Sequence, residues 1–238
     1  EISACLVGSE MCIRDRVLTT FAAQASDGSQ TASLAQLQAK VDLINQALAR
    51  IAEAAEQDTA STTTPSVSDY QAAGVNGVNA SRLASINDML NTPAINAAGM
   101  STPANIQALV DALGRIAALA DGSTNNTTQA GAVLGAADIT ALGLSGVITQ
   151  DAQRNLFNAI LDKAASTDVA IAADILNLAS IAQRIIDVAA QTPPAAISTT
   201  LTANDLIDAG LSGVTSVNLN AVLAEIAATA NDLSLIHI

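Results

Sequence analysis

The sequence predicts an all-α protein built from tandem, small three-helix repeat units. Three observations lead to this fold class. A glycine-containing motif recurs three times at nearly constant spacing. Stretches with apolar residues at helical spacing lie between the copies. Half of the 238 residues are hydrophobic but only 1% are aromatic, so the core must consist mainly of small aliphatic side chains.

The repeated motif reads D-[YIL]-x-x-[AL]-G-[VL]-[NS]-G-V. Its copies begin at Asp69, Asp138 and Asp205, which are 69 and 67 residues apart. Each copy predicts a short helix, a tight turn and the start of a second helix. The aspartates lie in the first turn of the short helix, where a carboxylate interacts favourably with the positive end of the helix dipole.

The N-caps of the short helices are predicted from the residues three positions before each aspartate. Ser66 and Thr202 occupy that position in the first and third copies, which is the spacing of a capping box. The middle copy has Gly135 there, a weaker N-cap.

Two glycines in each motif predict the turn. The first suits the left-handed conformation that ends a short helix, and the second suits the next bend. The six positions are Gly74, Gly77, Gly143, Gly146, Gly210 and Gly213. Tyr70 replaces Ile139 and Leu206 of the other copies, so we interpret it as a core residue rather than a binding platform.

The second helix of each copy is expected to begin after a polar cap at Asn79, Thr149 or Thr215. Its apolar stripe comprises Leu83, Ile86 and Leu90 in the first copy and Leu219, Val222 and Ile226 in the third.

Longer amphipathic helices follow the second helices. Thr102-Pro103 starts one of them, and Ser33 caps an earlier one with the capping-box spacing. Their predicted stripes are Leu37, Val41, Ile44, Leu48 and Ile51; Ile106, Leu109, Val110, Leu113, Ile116 and Ala120; and Ile171, Ile175, Leu178, Ala182, Ile185 and Val188.

These elements divide the chain into repeats. Residues 17–61 are expected to be the C-terminal part of a truncated repeat, 62–126 and 127–197 complete units, and 198–232 the N-terminal part of another truncated repeat. Polar or proline-rich joints at 62–65, 123–128 and 192–194 separate them. Units of about 60 residues bury little surface and are marginally stable alone. They form either beads or a loose solenoid, and the polar joint at 123–128 favours beads.

The two ends of the sequence resemble translated sequencing adapter rather than protein. Leu233–Ile238 is what CTG TCT CTT ATA CAC ATC encodes, the end sequence of a common transposase-based adapter. The reverse complement contains ATG TGT ATA AGA GAC AG, which encodes the residues from Met11 to Asp15. We therefore interpret residues 1–16 and 233–238 as adapter and exclude them from fold reasoning. The exclusion removes Cys5, Cys12 and His237, that is, every Cys and His of the chain.

Composition excludes several function classes. A net charge of −13 argues against nucleic acid as a partner, because phosphate binding needs clustered Lys and Arg. No apolar run approaches the roughly 20 residues of a membrane span. Outside the ends the sequence offers no nucleophile with a base. We predict no enzymatic activity, no cofactor and no metal site, and we interpret Lys40 and Lys163 as solvated helix positions.

The Asp-Tyr-x-x-x-Gly-Val-x-Gly-Val turn and the helix from Ile106 to Asp111 resemble repeats of very large bacterial surface proteins of the adhesin type. The helix order is also weakly similar to the three-helix albumin-binding modules of Gram-positive surface proteins, although no albumin-contact residue carries over. The first resemblance covers most of residues 17–232 and implies export, repetition and a role in adhesion or as a spacer.

Two functions follow as expectations. The first is a non-enzymatic spacer segment of a large secreted or cell-surface bacterial protein, with weak, multivalent protein or surface partners. The alternative is a discrete three-helix module that grips a host or partner protein. A binder should expose an apolar patch of a few hundred Å² on equivalent helices of each unit, whereas a spacer should not.

Overall fold

The protein is all-α over the residues that its structure describes. The computed structural model describes residues 33–56, 64–124, 133–191, 197 and 199–228. Within these ranges the regular structure consists of nine α-helices and two short 3₁₀ turns, and it contains no strand. The predicted all-α class is confirmed. The adapter-like residues 1–16 and 233–238 lie outside the described residues, as do most of the predicted joints.

The chain divides into two compact units, residues 1–111 and 112–238, and the border falls inside a helix. The first unit contains α1 (Leu34–Ala54), α2 (Val67–Ala72), α3 (Ala80–Leu90) and the first half of α4 (Pro103–Leu119). The long helix α1 contacts both α2 and α3. Its buried side chains include Ile44, Leu48 and Ile51 of α1 and Tyr70, Ile86 and Met89 of α2 and α3.

The second unit continues from the end of α4. It contains α5 (Ala136–Ala141), α6 (Asp151–Lys163), α7 (Ala172–Ala189), α8 (Ala203–Asp208) and α9 (Leu219–Ala228), with 3₁₀ turns at Leu144–Gly146 and Ser166–Val169. The long helix α7 contacts α6 before it and α8 and α9 after it. One long helix of this unit therefore joins two successive motif copies.

The long helices begin and bury their side chains largely as their sequences indicate. The Ser33 hydroxyl accepts a hydrogen bond from the backbone N–H of Gln36 at the start of α1. Ile106 and Ile175 are almost fully buried, and burial of each such side chain contributes about 1.5–3 kcal/mol. Ile171 departs from its predicted stripe. It is the N-cap of α7 rather than a helical residue, and it is 51% exposed.

The second helices differ from one another in the face they bury. Ile86 and Leu90 of α3 are buried as their stripe predicts. In α9 the residues that become buried are Leu223 and Ala227. The predicted stripe of Leu219, Val222 and Ile226 is only half-buried. The prediction for the third copy therefore identified the apolar residues but not the face that packs on α7.

Candidate functional site

The polar residues of each motif meet at one place, the N-terminus of the short helix. In the first copy Ser66 is the N-cap of α2, and its hydroxyl accepts a hydrogen bond from the N–H of Asp69. The Asp69 carboxylate in turn accepts bonds from the backbone N–H of Ser66, at 2.8 Å, and from its hydroxyl, at 2.7 Å. This reciprocal pair satisfies N–H groups that a helix start otherwise leaves without partners.

The third copy repeats this geometry with threonine. Thr202 caps α8, and its hydroxyl accepts a bond from the N–H of Asp205. The Asp205 carboxylate accepts bonds from the N–H and the hydroxyl of Thr202, at 2.7 and 2.8 Å. In the middle copy Asp138 accepts a 2.8 Å bond from the N–H of Gly135, which has no hydroxyl to return one.

An arginine of the preceding long helix pairs with each of the three aspartates. Arg50 of α1 donates to Asp69 at 3.1 Å, and Arg115 of α4 donates to Asp138. Arg184 of α7 makes two bonds of 3.1 Å to the two carboxylate oxygens of Asp205. We call the N-cap, the aspartate and the arginine of one copy the Arg–Asp corner.

The sequence analysis missed these arginines, although the sequence contains a signal for them. Arg50, Arg115 and Arg184 stand 19, 23 and 21 residues before the aspartates with which they pair. Each also lies directly before an isoleucine that is buried in the structure: Ile51, Ile116 and Ile185. A charged residue that recurs at the same place in three amphipathic stripes would have indicated a repeated partner.

Electrostatics at two of the corners favour the ionised aspartate. Burial alone would raise the pKa of Asp69, but hydrogen bonds from Ser66 and the nearby charge of Arg50 outweigh it, so the pKa is lowered from 3.8. The pKa of Asp205 is lowered in the same way: the bonds from Arg184 and Thr202 outweigh the burial. Both carboxylates are therefore charged, paired and capped at neutral pH.

The glycines after the short helices take the left-handed conformation. Gly74 has a φ of 79°, Gly143 of 69° and Gly210 of 87°. In the first copy the N–H of Gly74 bonds the carbonyl of Gln71, and the N–H of Val75 bonds that of Tyr70. These two bonds form a Schellman motif, which satisfies carbonyls at the helix end.

The second glycines are not all alike. Gly77 and Gly213 have φ values of 81° and 77°. Gly146 instead lies in the 3₁₀ turn Leu144–Gly146 and does not have a positive φ. The middle copy also shifts the expected cap of its second helix. The N-cap of α6 is Gln150 rather than Thr149, and the Gln153 side chain accepts bonds from the N–H groups of both residues.

An asparagine of the second helix closes two of the corners. In the first copy the Asn87 amide donates to the carbonyl of Pro65 at 2.8 Å and accepts a 2.7 Å bond from the Tyr70 hydroxyl. Proline has no N–H, so the amide oxygen of Asn87 is available to Tyr70.

In the middle copy Asn158 bonds both backbone groups of Leu134, the residue before the N-cap. Leu134 has an N–H that occupies the amide oxygen, and the position of Tyr70 is filled by Ile139. The third copy places Leu223 in α9 at the position equivalent to Asn87, counted from the motif aspartate, and Leu206 at that of Tyr70. The asparagines were not singled out from the sequence.

The corner has the chemistry of a structural joint. Its carboxylates are engaged by N-caps and by guanidinium groups, and the Tyr70 side chain is fully buried, which raises its pKa. Within the described ranges, His, Cys, Asp and Glu side chains do not form any group of three or more that could hold a metal ion. No helix in the same ranges is both long and apolar enough to cross a membrane.

Comparisons with known proteins add no family to this description. No protein-family model matches the chain, and neither a curated protein nor a solved structure matches it.

Proposed function

We propose that residues 17–232 form a non-enzymatic spacer segment of a large secreted or cell-surface bacterial protein, built from tandem helical repeats and contributing to adhesion. The observation that carries this proposal is the threefold Arg–Asp corner. The aspartates of all three motif copies bind an N-cap and an arginine of the preceding long helix. A motif whose ionisable groups serve internal contacts in every copy repeats in order to build structure.

The contacts of α7 favour stacked repeats over separate beads within this proposal. This helix packs on α6, which belongs to the repeat 127–197, and on α8 and α9, which belong to 198–232. The arginine of α7 then binds the N-cap region of the next short helix. A shared helix and a polar clasp at the joint would let each marginal unit borrow stability from its neighbour.

The exposed apolar side chains favour a spacer over the alternative of a discrete binding module. Leu43, Ile171, Ile207 and Val217 are at least 48% exposed. Counted from the arginines, Leu43 of α1 corresponds to Ala108 and Asn177. Counted from the motif aspartates, Ile207 corresponds to Gln71 and Thr140. These exposed residues do not recur from copy to copy, as a repeated protein-binding face would require.

The proposal is tested at the level of the gene. Long-read sequencing of the source DNA, without transposase adapters and with primers placed within codons 64–228, should show a reading frame that continues in both directions. It should contain further copies with the Arg–Asp periodicity, an export signal and a wall or membrane anchor. The adapter-like codons 1–16 and 233–238 should be absent. A short gene that ends near these positions and lacks an export signal would overturn the proposal.

A binding assay separates the alternative. The full chain, immobilised on beads at high density, should show weak retention of partner proteins or surfaces that depends on density, because a spacer binds through many weak contacts. A soluble partner bound with one-to-one stoichiometry and lost in Ile207→Ser would instead identify a discrete binding module.

A further inference from the structure

The second helix of the last motif copy presents an apolar stripe that its equivalents bury. Counted from the motif aspartates, Val222 of α9 corresponds to Ile86 of α3, and Ile226 corresponds to Leu90. Ile86 and Leu90 are at most 1% exposed, whereas Val222 and Ile226 are half-buried. Leu219, one turn before Val222, is also half-buried. We call Leu219, Val222 and Ile226 the donor stripe.

The helix that covers such a stripe is known from the middle copy. There the second helix α6 packs on the long helix α7 that follows it. Phe157 and Leu161 of α6 are fully buried. They flank Asn158 as Ile86 and Leu90 flank Asn87, so they are the equivalents of Val222 and Ile226. The natural neighbour of the donor stripe is therefore the N-terminal part of a long helix.

The first long helix presents the complementary surface. Val41 of α1 stands nine residues before Arg50, as Ile175 of α7 stands nine before Arg184. Ile175 is 1% exposed in α7, which contacts a preceding second helix, whereas Val41 is half-buried in α1. The positions of Ala172 and Ala179, buried in α7, are taken in α1 by Gln38 and Asn45, which are exposed. We call Gln38, Val41 and Asn45 the acceptor face.

We infer that copies of this chain associate head to tail, with the donor stripe of α9 in one molecule packed on the acceptor face of α1 in the next. This contact would reproduce between molecules the α6–α7 packing inside the second unit. It joins two different surfaces, so it extends into open chains and does not stop at a dimer. The inference rests on the stacked arrangement proposed above, and its test leaves the gene-level test untouched.

The expected affinity is low. One helix of ten residues packed on part of another buries less surface than the roughly 1,200 Å² of a stable protein interface. The amides of Gln38 and Asn45 make the acceptor face less apolar than its equivalent in α7. Association should therefore occur with a dissociation constant of about 10 µM to about 1 mM.

Sedimentation equilibrium of the full chain over that concentration range tests the inference. The weight-average mass of the wild type should rise above 23.9 kDa and pass twice that value without a plateau. Val222→Asp and Val41→Asp should each remain monomeric, because each places a charge in one half of the interface. Val217→Asp and Leu43→Asp change residues that are 92% and 55% exposed outside the two surfaces, and both should associate like the wild type.

Mixing the two blocked variants gives the sharpest result. Each has one intact surface, so an equimolar mixture of Val222→Asp and Val41→Asp should form a dimer and stop there. Leu219→Asp replaces Val222→Asp if the latter loses helical circular dichroism. A monomeric wild type at every concentration, or a mixture that stays monomeric, would overturn the inference. A gene without further repeats would instead contradict the spacer proposal.

Discussion

The first and third Arg–Asp corners have the same backbone design but use different side chains to hold it. At the first corner the Tyr70 hydroxyl and the Pro65 carbonyl are both satisfied by Asn87, while the single bond from Arg50 leaves its side chain 58% exposed. At the third corner Leu206 and Leu223 stand in place of the tyrosine and asparagine.

The third corner compensates with its arginine. The Arg184 side chain is 22% exposed, forms two bonds to Asp205 and adds a third, at 3.3 Å, to the carbonyl of Thr200. The comparison teaches that the repeat preserves a geometry rather than a set of contacts. A buried polar network and a bidentate ion pair beside apolar side chains are two solutions to the same joint.

The largest expected effect comes from the polar network of the first corner. Asn87→Leu introduces the side chain of the third copy but leaves a buried hydroxyl and a carbonyl without partners, so it should reduce the free energy of unfolding by about 2–4 kcal/mol. Adding Tyr70→Phe removes the stranded hydroxyl and should restore about 1–2 kcal/mol. Amide hydrogen exchange of α2 measures both. Equal losses in the single and double variants would show that the hydroxyl is not part of the network.

The second expected effect ranks the two aspartates. Asp205→Ala removes two capping bonds and a bidentate pair and should cost about 2–3 kcal/mol, whereas Asp69→Ala loses a more exposed pair and should cost about 1–2 kcal/mol. Urea unfolding followed by circular dichroism, with hydrogen exchange to localise the loss, provides the comparison. The reverse order would contradict the stronger role of Arg184.

Glycine substitutions test the turn that follows each short helix. Gly210→Ala forces a side chain into a φ of 87°, and its Cβ would lie 2.8 Å from Cδ of Lys163. We expect a loss of about 1–2 kcal/mol from the left-handed backbone. Gly146→Ala is the matched control, because that position has no positive φ and a Cβ there would meet no atom within 4 Å. Thermal unfolding should separate the two, and equal effects would count against the conformational explanation.

Acidification should weaken the first and third corners together. The folded pKa of Asp69 and that of Asp205 are both lowered from 3.8, so their contribution to stability is complete above that value and is lost as the pH falls through the folded pKa. The loss should be smaller than that of either alanine variant, because a protonated carboxyl still forms hydrogen bonds. Unfolding free energies between pH 6 and about pH 2 measure it, and the Asp69→Ala/Asp205→Ala double variant should show a shallower slope.

The smallest expected effect is a gain in the middle copy. Gly135→Ser introduces the hydroxyl that the other two N-caps have, and the added Cβ would meet only the Asp138 carboxylate, at 3.7 Å. Serine is better than glycine at an N-cap by a few tenths of a kcal/mol. The melting temperature should rise slightly, while Ser66→Gly should lower it by a similar amount. A destabilised Gly135→Ser would mean that this N-cap needs glycine for another reason.

Much of the fold could be predicted because its signals are local. The capping boxes at Ser66 and Thr202 involve residues three apart, and the left-handed turns at Gly74 and Gly210 depend on the missing Cβ of a single residue. Failures occurred where a distant partner decides. Ile171 is apolar and in register, yet it lies outside α7 and is half-exposed. The buried face of α9 is selected by its packing on α7 rather than by its own periodicity.

The sequence by itself determined the helices, their caps and their glycine ends, since each depends on hydrogen bonds and dihedral angles within a few residues. Only the tertiary structure decided that Arg50, Arg115 and Arg184 reach the aspartates of the following motif and that Asn87 and Asn158 reach back to the residue before the N-cap. These partners are 19 to 24 residues apart, and chain composition does not specify contacts over that distance. They form when packed apolar faces bring the helices together.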